Sequence, residues 1–283
     1  MVALPTRGPG AACVLEFGPT DRAVDLVFLH ATGFNALTYR HILAPLARDY
    51  RILAVDQRGH GGATLTADPG DHPDWNDYRD DVLALREVLN LEAVVLAGHS
   101  MGATVSILAA SSEPKFAKRL VLFDPVILPR EFDPHAGHID LATGAARRRA
   151  VYDNRAQVRN SYRGRGAFVG WPDDMLDDYV TAGFHDLPSG EVKLACAPPW
   201  EAATYRAQRN DTRAALARVA CPINLYQAEF NSACRLDPAI PGINWQIVVG
   251  AGHFLPMERP DLAGAALAAA IEGPVDVTSS GPA

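Results

Sequence analysis

The stretch AVVLAGHSMGATVS (residues 93–106) runs an apolar segment into Gly98-His99-Ser100-Met101-Gly102 and leaves it through a run of small residues. A buried strand that ends on Gly-x-Ser-x-Gly and continues as a helix places one serine on a turn too sharp for side chains on either flank. The glycines remove the groups that would collide. The serine oxygen then stands above the sheet, at the positive end of the following helix. Five such residues recur by chance in unrelated chains, but between a strand and a helix the pattern marks Ser100 as a nucleophile.

Working outward, DLVFLH (25–30), RILAVD (51–56), AVVLAG (93–98), RLVLFD (119–124), INLYQAE (223–229) and WQIVVG (245–250) read as strands. Their near-continuous apolar character suits strands buried on both faces, and amphipathic stretches between them suit crossover helices. Helical spacing marks Asp77 to Leu89, while Met101 to Ser111 is rich in small residues and Asp261 to Ile271 follows a proline that can open a helix. The expectation is an α/β fold with a mostly parallel central sheet flanked by helices. Residues 125–212 interrupt this rhythm: they are Arg-rich and dotted with aromatics, and they read as helices without buried strands. The chain therefore divides into a core of 1–124 plus 213–275, a helical insertion at 125–212 and a loose tail at 276–283.

A serine hydroxyl at its free pKa is a poor nucleophile and needs a base. VVGAGHFLPMERPD (248–261) supplies His253, just past the last apolar strand in a Gly-rich loop. A lone loop histidine usually has no role. Its place after a strand, and after the serine in chain order, argues for the base.

Four motifs together, HATGF (30–34), DQRGHG (56–61), GHSMG (98–102) and GAGHFLPMERP (250–260), resemble those of the α/β-hydrolase family over nearly the whole chain. The resemblance implies Ser100 as nucleophile, His253 as base and the insertion as a cap over the site. Many relatives carry the acid after the strand INLYQAE, where Asn231 now stands with Glu229 two residues earlier. Others take it from the end of the preceding core strand, which gives Asp124. A carboxylate at a strand end, braced by Pro125, suits the task of holding the His253 N–H, and Asp124 is the expected acid, with Glu229 and Asp237 as alternatives. The oxyanion donors expected are the backbone N–H groups of Thr32 and Met101. Relatives usually have glycine where Ala31 sits, and the Thr32 hydroxyl serves either as a donor or to turn the loop. Arg58 and His60 are expected to brace loops.

The formal charge of −7 argues against nucleic acid or an anionic membrane as partner, and no apolar run is long enough to span a bilayer. The N-terminal residues show no signal-like apolar core, and Cys13, Cys196, Cys221 and Cys234 are spaced as free thiols, so the expected compartment is the cytoplasm. No phosphate-binding glycine motif and no metal-ligand spacing is present; GRGAFVG (164–170) follows no strand. No cofactor is expected. The partner expected is a small-molecule acyl substrate, and the chain is a monomer or homodimer.

Within the insertion, Arg147, Arg148, Arg149, Arg155, Arg159, Arg163 and Arg165 face only Asp153, with Asp173, Asp174, Asp177 and Asp178 nearby. These are either a solvated face or a lure for an anionic substrate. Of the aromatics there, most read as core, with Trp171 and Trp200 expected to reach the substrate. The favoured reaction is hydrolysis of a small or medium carboxylic ester. A thioesterase, lactonase, C–C bond hydrolase or acyltransferase would use the same residues, and a slow-turnover small-molecule receptor is the reading from another class.

Overall fold

The computed structural model describes residues 1–128, 139–236, 240 and 242–273, so Asp237 and the tail at 276–283 lie outside the described residues. The strands are β1 (Val2–Ala3), β2 (Ala11–Phe17), β3 (Leu26–Leu29), β4 (Ile52–Asp56), β5 (Val94–His99), β6 (Ala117–Phe123), β7 (Val151–Tyr152), β8 (Phe184–Asp186), β9 (Val192–Leu194), β10 (Ile223–Ala228) and β11 (Ile243–Val248). Eight of them form one sheet in the order β1-β2-β4-β3-β5-β6-β10-β11. From β4 to β11 every pairing is parallel; β1–β2 and β2–β4 are antiparallel.

All four residues of β3, all five of β4 and all six of β5 are buried, as strands covered on both faces must be. The helix Asn76–Leu89 covers one side, ending at Asn90 in the left-handed conformation (φ +52°) with its N–H returned to the last turn. The helix Met101–Ser112 buries ten of its twelve residues against the sheet. Its approach is so close that a Cβ on Gly102 would lie 2.2 Å from the Leu29 carbonyl oxygen, and one on Gly98 would lie 2.4 Å from the Gly102 carbonyl carbon. Only hydrogen fits at both positions.

Strand register then sets the site. His99 pairs with Phe123 and Phe123 with Tyr226, so Ser100 and Asp124 emerge side by side at the carboxyl ends of adjacent strands. Open parallel sheets place their chemistry at that end.

Two features depart from the sequence reading. The strand β2 carries only one fully buried residue in a half-exposed run, so its pattern does not stand out, yet it pairs over five positions with β4. The insertion is not wholly helical. It has helices Ile139–Ala146, Arg155–Tyr162, Asp173–Ala182 and Pro198–Arg206, but also a three-stranded sheet, β7-β9-β8. The stretch 142–163 that reads as one helix is broken: β7 pairs with β9, and Asn154 then accepts the Gln157 N–H at 2.9 Å to cap a fresh helix. Strands of two or three residues have no periodicity to read. Tyr152, Phe184, Val192 and Leu194 bury into the same apolar cluster as Phe28 and Phe123 of the main sheet, so insertion and core share one interior.

The crowding at the helix crossing gives a test. Gly102→Ala is expected to cost about 3 kcal/mol or more, because the clash is with backbone. The same change at Gly144, where an added Cβ meets nothing within 4 Å inside a helix, is expected to add about 0.5–1 kcal/mol. Urea unfolding midpoints of the two variants check the pair.

Candidate active site

Ser100 sits at φ +54°, ψ −117°, a conformation that costs a non-glycine residue about 1–3 kcal/mol. Its N–H donates to the Phe123 carbonyl at 2.9 Å, and its own carbonyl accepts the Thr104 N–H at 3.1 Å. These bonds hold the strained turn, and the side chain faces His253, whose Nε2 lies 3.0 Å from Ser100 Oγ. The other ring nitrogen, Nδ1, lies 2.5 Å from Asp124 Oδ2. Asp124 accepts from that side, so Nδ1 carries the proton and Nε2 is free to accept from the serine hydroxyl.

Asp124 is fully buried, also at positive φ (+44°). Burial pushes its carboxyl up, but His253, the Ser232 hydroxyl and the Ala228 N–H together hold it below the ordinary carboxylate range. The donors are explicit: Ala228 N–H at 2.9 Å and Ser232 Oγ at 2.6 Å to Oδ1, and Ala233 N–H at 2.9 Å to Oδ2. The end of β10 and the loop after it furnish these donors. Nothing in the sequence singled out Ser232. Glu229 is exposed and accepts the Gly250 N–H at 2.8 Å, which braces the approach to the His253 loop.

The loop after β3 accounts for its backbone donors one by one. Ala31 N–H donates to the Tyr39 hydroxyl (3.2 Å), Gly33 N–H to His60 Nε2 (3.0 Å) and Phe34 N–H to the Ala31 carbonyl (3.1 Å). Among the described residues the Thr32 N–H has no partner, and neither does that of Met101 at the start of its helix. Two unengaged donors beside a serine are what a developing oxyanion requires. The Thr32 hydroxyl is not a third, since it points to Met101 Sδ at 3.4 Å. His60 also donates Nδ1–H to the Arg58 carbonyl (2.9 Å), and Arg58 grips Asp81 with two bonds of 2.8 and 2.6 Å. Both residues brace loops.

Ser100, Thr32 and His253 open on a cavity of about 680 Å³. Core residues Phe34 and Phe254 line it together with Tyr162, Phe168, Tyr179, Tyr205 and Gln208 of the insertion. Trp171 and Trp200 are not among its lining residues. Trp171 packs edge-on against Phe34 (5.3 Å) and Phe168 (5.0 Å), one layer behind the wall. Trp200 packs against His72 with the rings tilted, centroids 4.4 Å apart, and donates Nε1–H to the Arg58 carbonyl at 3.2 Å. Their bulk is spent on core and loop packing, which corrects the expectation that they reach the substrate.

The arginine run divides as well. Arg155, Arg159 and Arg163 pair with Asp186, Asp177 and Asp173 on the insertion's surface, and Arg149 lies over the Tyr152 ring at 4.4 Å. Arg148 alone of the seven lines the cavity, joined there by Arg235. It donates to Glu201 Oε2 (2.5 Å) and to the hydroxyls of Tyr179 (3.0 Å) and Tyr162 (3.2 Å). Burial works against its charge, but Tyr179, Glu201 and Tyr162 raise its pKa further still, so it stays a cation. Among the described residues no cluster of His, Cys, Asp or Glu is arranged to hold a metal ion.

A profile described as "Alpha/beta hydrolase family" matches residues 26–266. The chain belongs to that family. A 2-(acetamidomethylene)succinate hydrolase of Mesorhizobium japonicum is 26% identical over 248 residues, which is 84% of each chain. A carboxylesterase of Bacillus subtilis is 24% identical over 268 residues, 89% of this chain and 81% of its own. Among solved structures, E-2-(acetamidomethylene)succinate hydrolase matches with a TM-score of 0.82 at 22% identity, covering 96% of this chain and 98% of that one. A thioesterase domain from the curacin biosynthetic pathway matches at 0.75 and 16% identity, covering 92% and 95%. At such identities the structural likeness establishes the fold, while the two sequence relatives named here are hydrolases with different names for what they cleave.

The buried histidines of the site carry a stability prediction. Burial lowers the His60 pKa to about 4 and the His99 pKa to about 3, and holds His30 well below its ordinary value. The unfolded chain binds these protons near pH 6.5 and the folded one does not, so stability falls as pH drops below about 6.5, by up to about 1.4 kcal/mol per unit for each ring. Asp124, with its lowered pKa, withdraws its contribution only below about pH 4. Urea unfolding at pH 7, 6 and 5 is expected to show a steady loss, with a shallower slope in His60→Gln. A flat profile would mean the rings protonate within the fold.

Proposed function

We propose that this chain is a serine hydrolase that cleaves a small or medium carboxylic ester through an acyl-enzyme on Ser100. The hydrogen-bond line from Ser100 through His253 to Asp124, opening on the cavity, carries the proposal. Ser100 Oγ attacks the carbonyl carbon as His253 Nε2 takes its proton. Asp124 stabilises the imidazolium, and the Thr32 and Met101 N–H groups receive the negative oxygen. The tetrahedral species collapses, and His253 returns the proton to the departing alcohol. A water then repeats the sequence with His253 as base and releases the acid.

With Arg148 paired to Glu201 of the same lining, Arg235 is the cation in excess, and it favours an acyl group or alcohol that bears a carboxylate. The Mesorhizobium relative, whose name specifies a substituted succinate, is in keeping with that class. The Bacillus relative, named a carboxylesterase, is in keeping with the bond. The four cysteines are unpaired, which suits a reducing compartment such as the cytoplasm.

A p-nitrophenyl ester series of increasing acyl length tests the reaction. Ser100→Ala and Asp124→Asn are each expected to lower kcat by about 10⁴-fold, with Glu229→Gln close to wild type. Turnover persisting in Ser100→Ala would remove the proposal. A second series pairs each neutral ester with one ending in a carboxylate. The charged member is expected to be preferred at low salt, with the preference cut about tenfold or more in Arg235→Gln. Equal rates for the pairs in wild type would remove the anionic preference and leave the ester reaction standing.

A further inference from the structure

Behind the reacting groups, and outside the cavity lining, lies a line of hydrogen bonds that the reaction described above does not use. His99, the residue before Ser100, and Tyr39, beyond the oxyanion loop, are both fully buried. His99 Nε2 is 2.8 Å from the backbone carbonyl of His253, and His99 Nδ1 is 2.8 Å from the Tyr39 hydroxyl. That hydroxyl in turn accepts the Ala31 N–H at 3.2 Å.

The proton positions follow from the two ends. A carbonyl only accepts, so Nε2 carries the ring proton and donates to His253. An amide N–H only donates, so the Tyr39 oxygen accepts from Ala31 and spends its own proton on His99 Nδ1. One arrangement satisfies every group. Burial keeps His99 neutral, with its pKa lowered to about 3, and raises that of Tyr39, so neither titrates across the working range. Phe34 and Phe254 present their rings edge-on to His99 and keep water from replacing a lost partner.

We infer that His99 and Tyr39 are positioning residues that lock the His253 loop to the oxyanion loop, each anchored to the strand that carries Ser100. The inference rests on the serine hydrolase reading. The base follows β11, the oxyanion donor at Thr32 follows β3, and the nucleophile follows β5. Among the described residues no backbone hydrogen bond of the sheet directly ties the first loop to the second; the imidazole–phenol pair does. A misplacement of about 1 Å between nucleophile, base and oxyanion donors costs on the order of a hundredfold in rate. The pair therefore acts on the transition state and leaves binding in the cavity alone, whereas a residue that merely fills the core would weaken stability without that selectivity.

The test uses the full chain and three variants, Tyr39→Phe, His99→Leu and His99→Gln, with Ser100→Ala as reference. The first readout is the rate at which a small fluorophosphonate labels Ser100, which needs no knowledge of the natural substrate. The second is p-nitrophenyl ester hydrolysis, divided into kcat and KM. The third is affinity for phenylboronate, which forms a tetrahedral adduct, against benzoate, which does not.

Tyr39→Phe is expected to lower labelling and kcat by roughly 10- to 100-fold with KM and benzoate affinity within about twofold, and to weaken phenylboronate in proportion to kcat. His99→Gln, which keeps a donor toward the His253 carbonyl, is expected to retain more activity than His99→Leu. Tyr39→Phe removes one hydroxyl and decides the matter alone if His99→Leu does not fold. Labelling and kcat unchanged in a folded Tyr39→Phe would overturn the inference, as would equal weakening of benzoate and phenylboronate. Loss of labelling in Ser100→Ala alongside an unchanged Tyr39→Phe rejects only the positioning role. Absence of Ser100 labelling in wild type rejects the hydrolase reading and the inference with it.

Discussion

The contact between the helix Met101–Ser112 and strands β3 and β5 leaves no room for a side chain at Gly98 or Gly102, and the rest of the site is built on that approach. With the helix pressed onto the sheet, the chain between them must turn within one residue, and Ser100 takes the strained conformation that results. The cost of about 1–3 kcal/mol is offset by burying nearly the whole helix and by the backbone bonds from Ser100 to Phe123 and from Thr104 to Ser100. Strain here buys orientation. The hydroxyl cannot swing into the core, and the first N–H of the helix, that of Met101, is left beside it.

The carboxylate at Asp124 is the second constraint. A buried charge persists only if it is neutralised and hydrogen-bonded. Asp124 has the His253 ring on one side and, on the other, three donors from the last residue of β10 and the loop that follows. Strand β10 lies beside β6, so that loop is always within reach of either acid position. The loop after β10 thereby serves as the solvation shell of this carboxylate. Ser232 supplies its shortest donor there, and Glu229 braces the Gly250 turn.

Above the sheet, the insertion shares its interior with the core through Phe34, Tyr179, Trp171 and Phe184. Its outer arginines meet aspartates in exposed pairs that solvent screens, and so contribute to solubility more than to stability. Arg148 differs because it follows the end of a helix that packs on Pro198–Arg206, which turns it inward toward Glu201. One inward arginine among seven thus brings a buried ion pair with Glu201 into the wall of an otherwise largely apolar cavity.

The sequence by itself determined where the main parallel strands run and where the serine and histidine stand. Those signals are local: continuous apolar runs for doubly covered strands, and glycines two residues either side of a serine whose own turn demands them. It favoured Asp124 over Glu229 on strand-end position alone, while the contact between Asp124 and His253, residues 129 positions apart, exists only in the fold. It could not single out Arg148 within a run of arginines, since composition does not reveal which side chain faces inward. Trp171 and Trp200 have the size of pocket residues, and only packing shows that one fills the second layer and the other braces the Arg58 loop. The half-exposed β2 and the two- and three-residue strands of the insertion carry no period, so their pairing is decided wholly by partners brought from elsewhere in the chain.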